Sequence, residues 1–255
     1  MNKISNGSKL NEKTKEVISV LEREPYIDSI VLVGSINLSK DFNDYDLLIL
    51  HQDKDIFETI MRLFSEYEVI SCDDSIRIVF ENDKDINLAL YTFTEFSNKV
   101  QNVYKHTQPI GEHREWAIGY WVPEVLIQDI ITCTILHDPA FKFKEIIEFV
   151  KENEQDYKSM IMKKCIQEID TKLSYLEKNE DYIEITIIRN DLFLTFIRLY
   201  SIKNFKYLSG FKRFKNKLDE CEDDKLYPLL VKYSQIINKK ELIKQTKNIV
   251  NYILN

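Results

Sequence analysis

Asp44 and Asp46 stand one residue apart at the mouth of the apolar run Leu47-Leu48-Ile49-Leu50. Residues i and i+2 on a strand point to the same face, about 7 Å apart along the backbone. Repulsion between two such carboxylates raises the cost of ionising both unless a cation sits beside them. Magnesium suits the place, because it takes oxygen ligands and completes its shell with water and substrate phosphates. Asp85, which opens the run "DINLALY", is the candidate third carboxylate; if it belongs to the preceding turn, Asn87 takes the metal-facing position instead. Upstream lies Gly34-Ser35. The glycine permits close backbone approach to a ligand, and Ser35 offers a hydroxyl and an N–H. A short helix beginning there would turn free N–H groups toward a phosphate. Together these groups suit phosphoryl transfer, in which carboxylate-bound metals activate a hydroxyl and stabilise a leaving pyrophosphate. A polar turn, "KDFNDYD", would explain the aspartate pair alone. It does not explain why Gly-Ser and Asp85 occur at compatible positions.

These residues need a scaffold, and the first third of the chain supplies strand-like and helix-like runs in alternation. Lys13 to Arg23 places Val17, Ile18 and Leu21 on one helical face, ended by Pro25. Ser29 to Val33 and Asp46 to Leu50 are short strands, the second apolar on both faces and therefore buried. Asp55 to Tyr67 is an amphipathic helix, and strands Ile76–Phe80 and Ile86–Tyr91 form a hairpin about Asn82-Asp83-Lys84-Asp85. After Thr92 the strand signal ends. Helical periodicity covers 93–105, Pro123 to Ile135, and then about 140–153, 156–180, 182–205, 225–237 and 239–254. The expected architecture is an α/β (α+β) domain with a small mixed sheet over residues 1–110, followed by an all-α helical bundle over 111–255.

Composition narrows the function classes. The 255 residues are 44% apolar and 30% charged, with a net charge of -7. A general nucleic-acid binder needs an excess of Lys and Arg to neutralise phosphates, so that class is disfavoured. No window approaches the roughly 18 apolar residues of a membrane helix, and the first residues show no apolar signal segment. The four cysteines, Cys72, Cys133, Cys165 and Cys221, form no CxxC pair and read as reduced thiols, so a cytoplasmic protein is expected. His51, His106 and His137 have no zinc-ligand spacing.

"GSINLSKDFNDYDLLIL" resembles the signature of the nucleotidyltransferase superfamily related to DNA polymerase β: a Gly-Ser, a spacer, then Asp-x-Asp within an apolar strand. The size and the helical C-terminal half resemble bacterial enzymes that adenylylate small molecules, aminoglycoside nucleotidyltransferases among them. The resemblance covers roughly residues 29–91. It implies a magnesium-dependent enzyme with two ions and ATP or another NTP as co-substrate. Such an enzyme moves a nucleoside monophosphate, AMP in the first instance, to a hydroxyl of an aminoglycoside-type acceptor. It implies Asp44, Asp46 and Asp85 as catalytic metal ligands, with Gly34 and Ser35 at the terminal phosphates. The spacer departs from many relatives, which carry further Gly and basic residues; Lys40 is its one cation.

Other residues compete for supporting roles. Glu115 and Glu124 are alternatives to Asp85 as general base. His113, Trp116, Tyr120 and Trp121 suit either a domain seal or an acceptor pocket. Arg77 is expected as a solvated edge charge, and Arg189-Asn190-Asp191 as either a buried network or a nucleotide contact. From Lys203 to Lys217 the chain holds six cations and no acid. Lys206, Tyr207 and Lys212 are the candidates there for triphosphate or base contacts. That segment also keeps open a toxin-like or regulatory enzyme acting on RNA or protein. A catalytically inactive nucleotide binder or antitoxin-type partner is the third reading. Expected partners are an NTP and a small-molecule acceptor, with no membrane and no stable nucleic acid, in a monomer or homodimer.

Overall fold

A computed structural model describes residues 10–37, 42–52, 54–72, 75–105, 123–204, 218 and 223–255. The chain divides into two compact units, Met1–His106 with Asp129–Glu152, and Thr107–Gln128 with Asn153–Asn255. The first unit therefore takes in a later segment as well as the N-terminal region that periodicity outlines.

That unit is built on a six-stranded sheet, β1 (Ile27–Val33), β2 (Tyr45–His51), β3 (Glu68–Cys72), β4 (Ser75–Val79), β5 (Ile86–Thr92) and β6 (Thr134–His137), in the order β3-β4-β5-β2-β1-β6. Only β2 and β5 pair in parallel; every other neighbouring pair is antiparallel. All seven residues of β1 are buried, as are all of β2 except Asp46, so the apolar stretches Ile30–Val33 and Leu47–Leu50 are covered on both faces. One face of the sheet packs Ile30, Leu32, Leu47 and Ile49 against Val17, Ile18 and Leu21 of α1 (Glu12–Leu21) and Ile56 and Ile60 of α2 (Ile56–Leu63). The alternate residues, Val31, Val33, Leu48 and Leu50, are equally buried on the opposite face. There α3 (Phe93–Lys105) and α5 (Lys142–Glu152) pack on the strands, with Phe96 and Phe143 stacked at 5.9 Å.

Two strands escape periodicity. The helix expected to reach Ile135 ends as α4 (Pro123–Thr132), and Thr134–His137 instead pairs along the outer edge of β1. A run as short as Thr134-Ile135-Leu136-His137 does not declare its type, and the N–H and C=O groups along the edge of β1 decide the matter. Asp138 then ties strand to helix: it accepts from Ser29 Oγ at 2.7 Å and from the backbone N–H groups of Phe143 and Lys144 at the start of α5. The other unexpected strand, β3, is an edge strand with Ile70 exposed.

The second unit holds α6 (Glu154–Lys178), α7 (Tyr182–Lys203), α8 (Leu226–Ser234) and α9 (Lys239–Leu254). Asp181 and Asn238 cap α7 and α9 by accepting from the N–H groups of Glu184 and Glu241. Phe196 meets the Tyr233 ring edge-on at 5.1 Å, and the Tyr233 hydroxyl reaches Thr246 Oγ1 at 3.2 Å. Cys133 and Cys165 are free, and burial pushes both thiols up to about 12. They are packing residues rather than nucleophiles. Among the described residues no helix is long and apolar enough to cross a membrane.

Candidate active site

The register of the sheet brings three residues into line across three strands: Val33 of β1 lies opposite Asp46 of β2, and Asp46 opposite Asn87 of β5. Asp44, two residues before Asp46, is carried on the same face. The Asn87 side-chain amide donates from Nδ2 to Asp44 Oδ2 at 2.9 Å and to Asp46 Oδ1 at 3.0 Å. One neutral side chain thus bridges the pair. Asp46 is raised from 3.8 to about 6, mainly by burial; the Asn87 hydrogen bond opposes this, and the Asp44 charge adds to it. A desolvated, mutually repelling pair of carboxylates at a strand end is a place that favours a hard cation.

Gly34 follows Val33 directly with φ of +75°, a left-handed conformation costly for other residues. A Cβ added there would overlap Asp46 Oδ2 and lie 3.2 Å from Asp46 Cγ. Glycine is therefore required twice over, by backbone conformation and by the carboxylate against it. The expected helix after Gly-Ser is a four-residue 3₁₀ turn, Gly34–Asn37, too short to act as an anion-binding helix terminus. Asn37 anchors it by donating to the Leu32 carbonyl at 2.8 Å and accepting from Thr134 Oγ1 at 3.1 Å. The Gly34 N–H, which the sequence suggests for a phosphate, donates instead to Asp129 Oδ1 at 3.3 Å. Asp129 is 3% exposed and comes from α4. Sequence reasoning passed over it, although an acid inside "VLIQDIIT" had to find a partner.

No protein-family model matches the chain, and no curated protein matches it. Among solved structures, a nucleotidyltransferase-like protein from Exiguobacterium sibiricum 255-15 is similar at 12% identity and a TM-score of 0.45. The similarity covers 94% of this chain and 73% of that one. At so distant a likeness the chemistry must be argued from the residues themselves.

The structure does not set Asp85 beside the other two aspartates as a third bridging group. Asp85 precedes β5, and its carboxylate accepts from Arg77 Nε at 2.9 Å, from Arg77 Nη2 and from the Phe80 N–H at 3.2 Å. Burial pushes Asp85 up, but the Arg77 hydrogen bond, the Phe80 N–H and the guanidinium charge outweigh it and hold the carboxyl below its usual range. Arg77, expected as a solvated edge charge, stays half exposed and pairs with the expected third ligand. Arg77 lies opposite Asn87 in the register of β4 and β5, and this pairing aims it at the same face. Among the described residues no three His, Cys, Asp or Glu side chains converge as a metal-ligand set. Lys84 reaches the Phe42 carbonyl, two residues before Asp44, and stands 3.3 Å from the Phe42 ring centroid.

Lys206, Tyr207 and Lys212 lie outside the described residues, as do Lys40, Glu115 and the aromatic loop. So does the Glu124 side chain. In the second unit, Arg189 Nη1 donates to the Ile236 carbonyl at 3.0 Å, and Asp191 pairs with Lys172 at 3.6 Å. Arg189 and Asn190 also line a cavity of about 310 Å³ with Phe193, Leu194, Tyr233 and Ser234. The polar triplet of α7 therefore serves the bundle's own packing at two of its three positions.

Proposed function

We propose that this chain is a magnesium-dependent nucleotidyltransferase that moves a nucleoside monophosphate, AMP from ATP, to a hydroxyl of a small molecule of the aminoglycoside type. The observation that carries the reading is the Asp44–Asp46 pair, held on one face at the end of β2 against Gly34. The two carboxylates would hold magnesium, an oxygen-liganded cation, in the place where the Asn87 Nδ2 now bridges them. Bound there, the metal would screen the triphosphate and stabilise the departing charge. The acceptor hydroxyl oxygen forms a bond to the α-phosphorus as the bond from that phosphorus to the bridging oxygen breaks; pyrophosphate leaves with that oxygen, and the hydroxyl proton passes to water. Asp44 and Asp46 would hold the cation, which would supply charge stabilisation there, while Gly34 leaves the space that a side chain would fill. An acidic protein also suits a cationic acceptor, since clustered carboxylates raise its local concentration.

The test is pyrophosphate release from each of the four NTPs with magnesium, against a panel of aminoglycosides and lincosamides. Release that needs one acceptor supports the transferase. Silence across the panel, with ATP still bound, supports a nucleotide binder that does not transfer.

That second reading has an observation of its own: the bridging group is Asn87, and Asp85 is clamped by Arg77. Two carboxylates hold one cation more readily than two. The Asn87→Asp variant tests whether the cation sits beside this residue. A third carboxylate is expected to raise magnesium affinity about tenfold, a difference of about 1.4 kcal/mol, read by isothermal titration of the nucleotide-free protein. The same variant should lower the melting temperature in chelator at neutral pH, because three like charges then meet without a counter-ion. Unchanged magnesium affinity would place the cation elsewhere than beside Asn87.

A further inference from the structure

We propose that the helical unit holds a binding site for a small aromatic carboxylate, formed by Arg189, Asn190, Phe193 and Leu194 of α7 with Tyr233 and Ser234 of α8. The cavity they line, about 310 Å³, is at the lower end of the range that takes small ligands, roughly 300–1,000 Å³. The site draws on none of the sheet's aspartates, so it stands whether or not the chain transfers nucleotides. Helix α7 explains why apolar wall is available here. Leu192, Phe196 and Leu199 are buried on one side, whereas Ile183, Ile187 and Leu194 lie exposed along another stripe, at spacings of one and two turns. A helix that is apolar on more than one side has surface left over once the bundle has closed. Leu194 ends that stripe, and with Phe193 it supplies the apolar wall of the cavity.

Charge decides what the cavity takes. Arg189 has no carboxylate partner among the described residues: Nη1 donates to the Ile236 carbonyl at 3.0 Å, and Nε is buried without an acceptor. Native folds rarely leave a buried donor unmet, and one left beside a cavity marks room for an acceptor from outside. The adjacent acid, Asp191, is engaged with Lys172 at 3.6 Å, and none of the six lining residues is acidic. A carboxylate is the natural complement, because its two oxygens match the guanidinium fork. Asn190, exposed one residue further on, offers an amide N–H to the second oxygen. The hydroxyls are already engaged: Ser234 Oγ donates to the Val231 carbonyl at 2.7 Å, and the Tyr233 hydroxyl meets Thr246 Oγ1. The body of the ligand then lies against Phe193 and Leu194, where a flat ring gains most. A chain of net charge -7 has no general attraction for anions, so the preference comes from Arg189 itself.

Isothermal titration of the full chain with indole-3-acetate, its neutral amide indole-3-acetamide and the cation tryptamine tests this, since the three share one ring system and differ in charge. The acid should bind about tenfold or more tightly than the amide, and tryptamine most weakly. Arg189→Gln removes the cation and should bring acid and amide to equal affinity. That variant also loses the Ile236 contact, and melting curves will show whether it folds. Leu194→Trp keeps the test open if it does not: the position is exposed, so the fold tolerates the larger ring, which fills the cavity. It should weaken binding of the acid by about tenfold or more. Equal affinities of acid and amide for the wild type overturn the site, as does acid binding that is unchanged in folded Leu194→Trp. Absence of any binding of the acid at millimolar concentration overturns it too. A dimer in sedimentation that Leu194→Trp dissociates, with no uptake of the acid, gives the cavity to a second copy of the chain and likewise overturns the proposal.

Discussion

Asp46→Asn should abolish nucleotide turnover and at the same time make the protein more stable above neutral pH. The first effect follows from the metal: a cation supplies several kcal/mol of charge stabilisation in the transition state, so turnover should fall by about a thousandfold or more. The second follows from burial. The Asp46 carboxyl is raised from 3.8 to about 6 in the folded chain. Between those values the folded protein holds a proton that the unfolded chain has released. Stability from this group therefore falls as pH rises through the window, and the penalty is complete above about pH 6. Asparagine carries no such penalty and can still accept from the Asn87 amide. At pH 7.5 in chelator the variant should gain on the order of 1–2 kcal/mol. Asp85, Glu95 and Asp223 are held low, so they strengthen the fold as pH rises. The difference between wild type and variant is therefore the readout, from melting curves at pH 4 to 8. A difference that stays flat across that range would show that Asp46 is not desolvated in solution.

Gly34→Ala should remove turnover as thoroughly but shift stability the other way. Alanine at φ of +75° is strained, and its Cβ would overlap Asp46 Oδ2. Strain of this kind costs about 1–3 kcal/mol, and its relief must push the Asp46 side chain off its place beside Asn87. Two inactive variants with opposite stability changes at pH 7.5 would separate loss of the ligand from loss of its position. An active Gly34→Ala protein would mean that the close approach of Gly34 to Asp46 has no part in holding the site.

Much of this site is legible in the order of residues. The Asp44–Asp46 parity places both on one face, and the apolar stretch Leu47–Leu50 marks β2 as a buried strand. The choice between Asp85 and Asn87 is not legible, because i and i+2 share a face and parity treats them alike. Only the parallel register of β2 with β5, which sets Asp46 opposite Asn87, decides it. Asp129 was hidden for a related reason. Its partner, Gly34, is 95 residues away, and a lone acid on an apolar helix reports a need for a partner without naming one. The strand β6 is four residues long and follows a helix with one residue between, so neither length nor punctuation separates it.

The parallel pairing of β2 with β5 also has a kinetic consequence. Asp44 and Asp46 follow β1 closely in sequence, whereas Asn87 arrives after a crossover that includes α2 and the β3–β4 hairpin. Local contacts close quickly, and parallel pairings over longer separations close slowly. The two aspartates can thus meet before the amide that bridges them is in place. Docking of β5 must then bury a charge that Asn87 only partly offsets, so the paired carboxylates act as a brake on the chain's own refolding. Divalent cations would release that brake during folding, before any substrate is present.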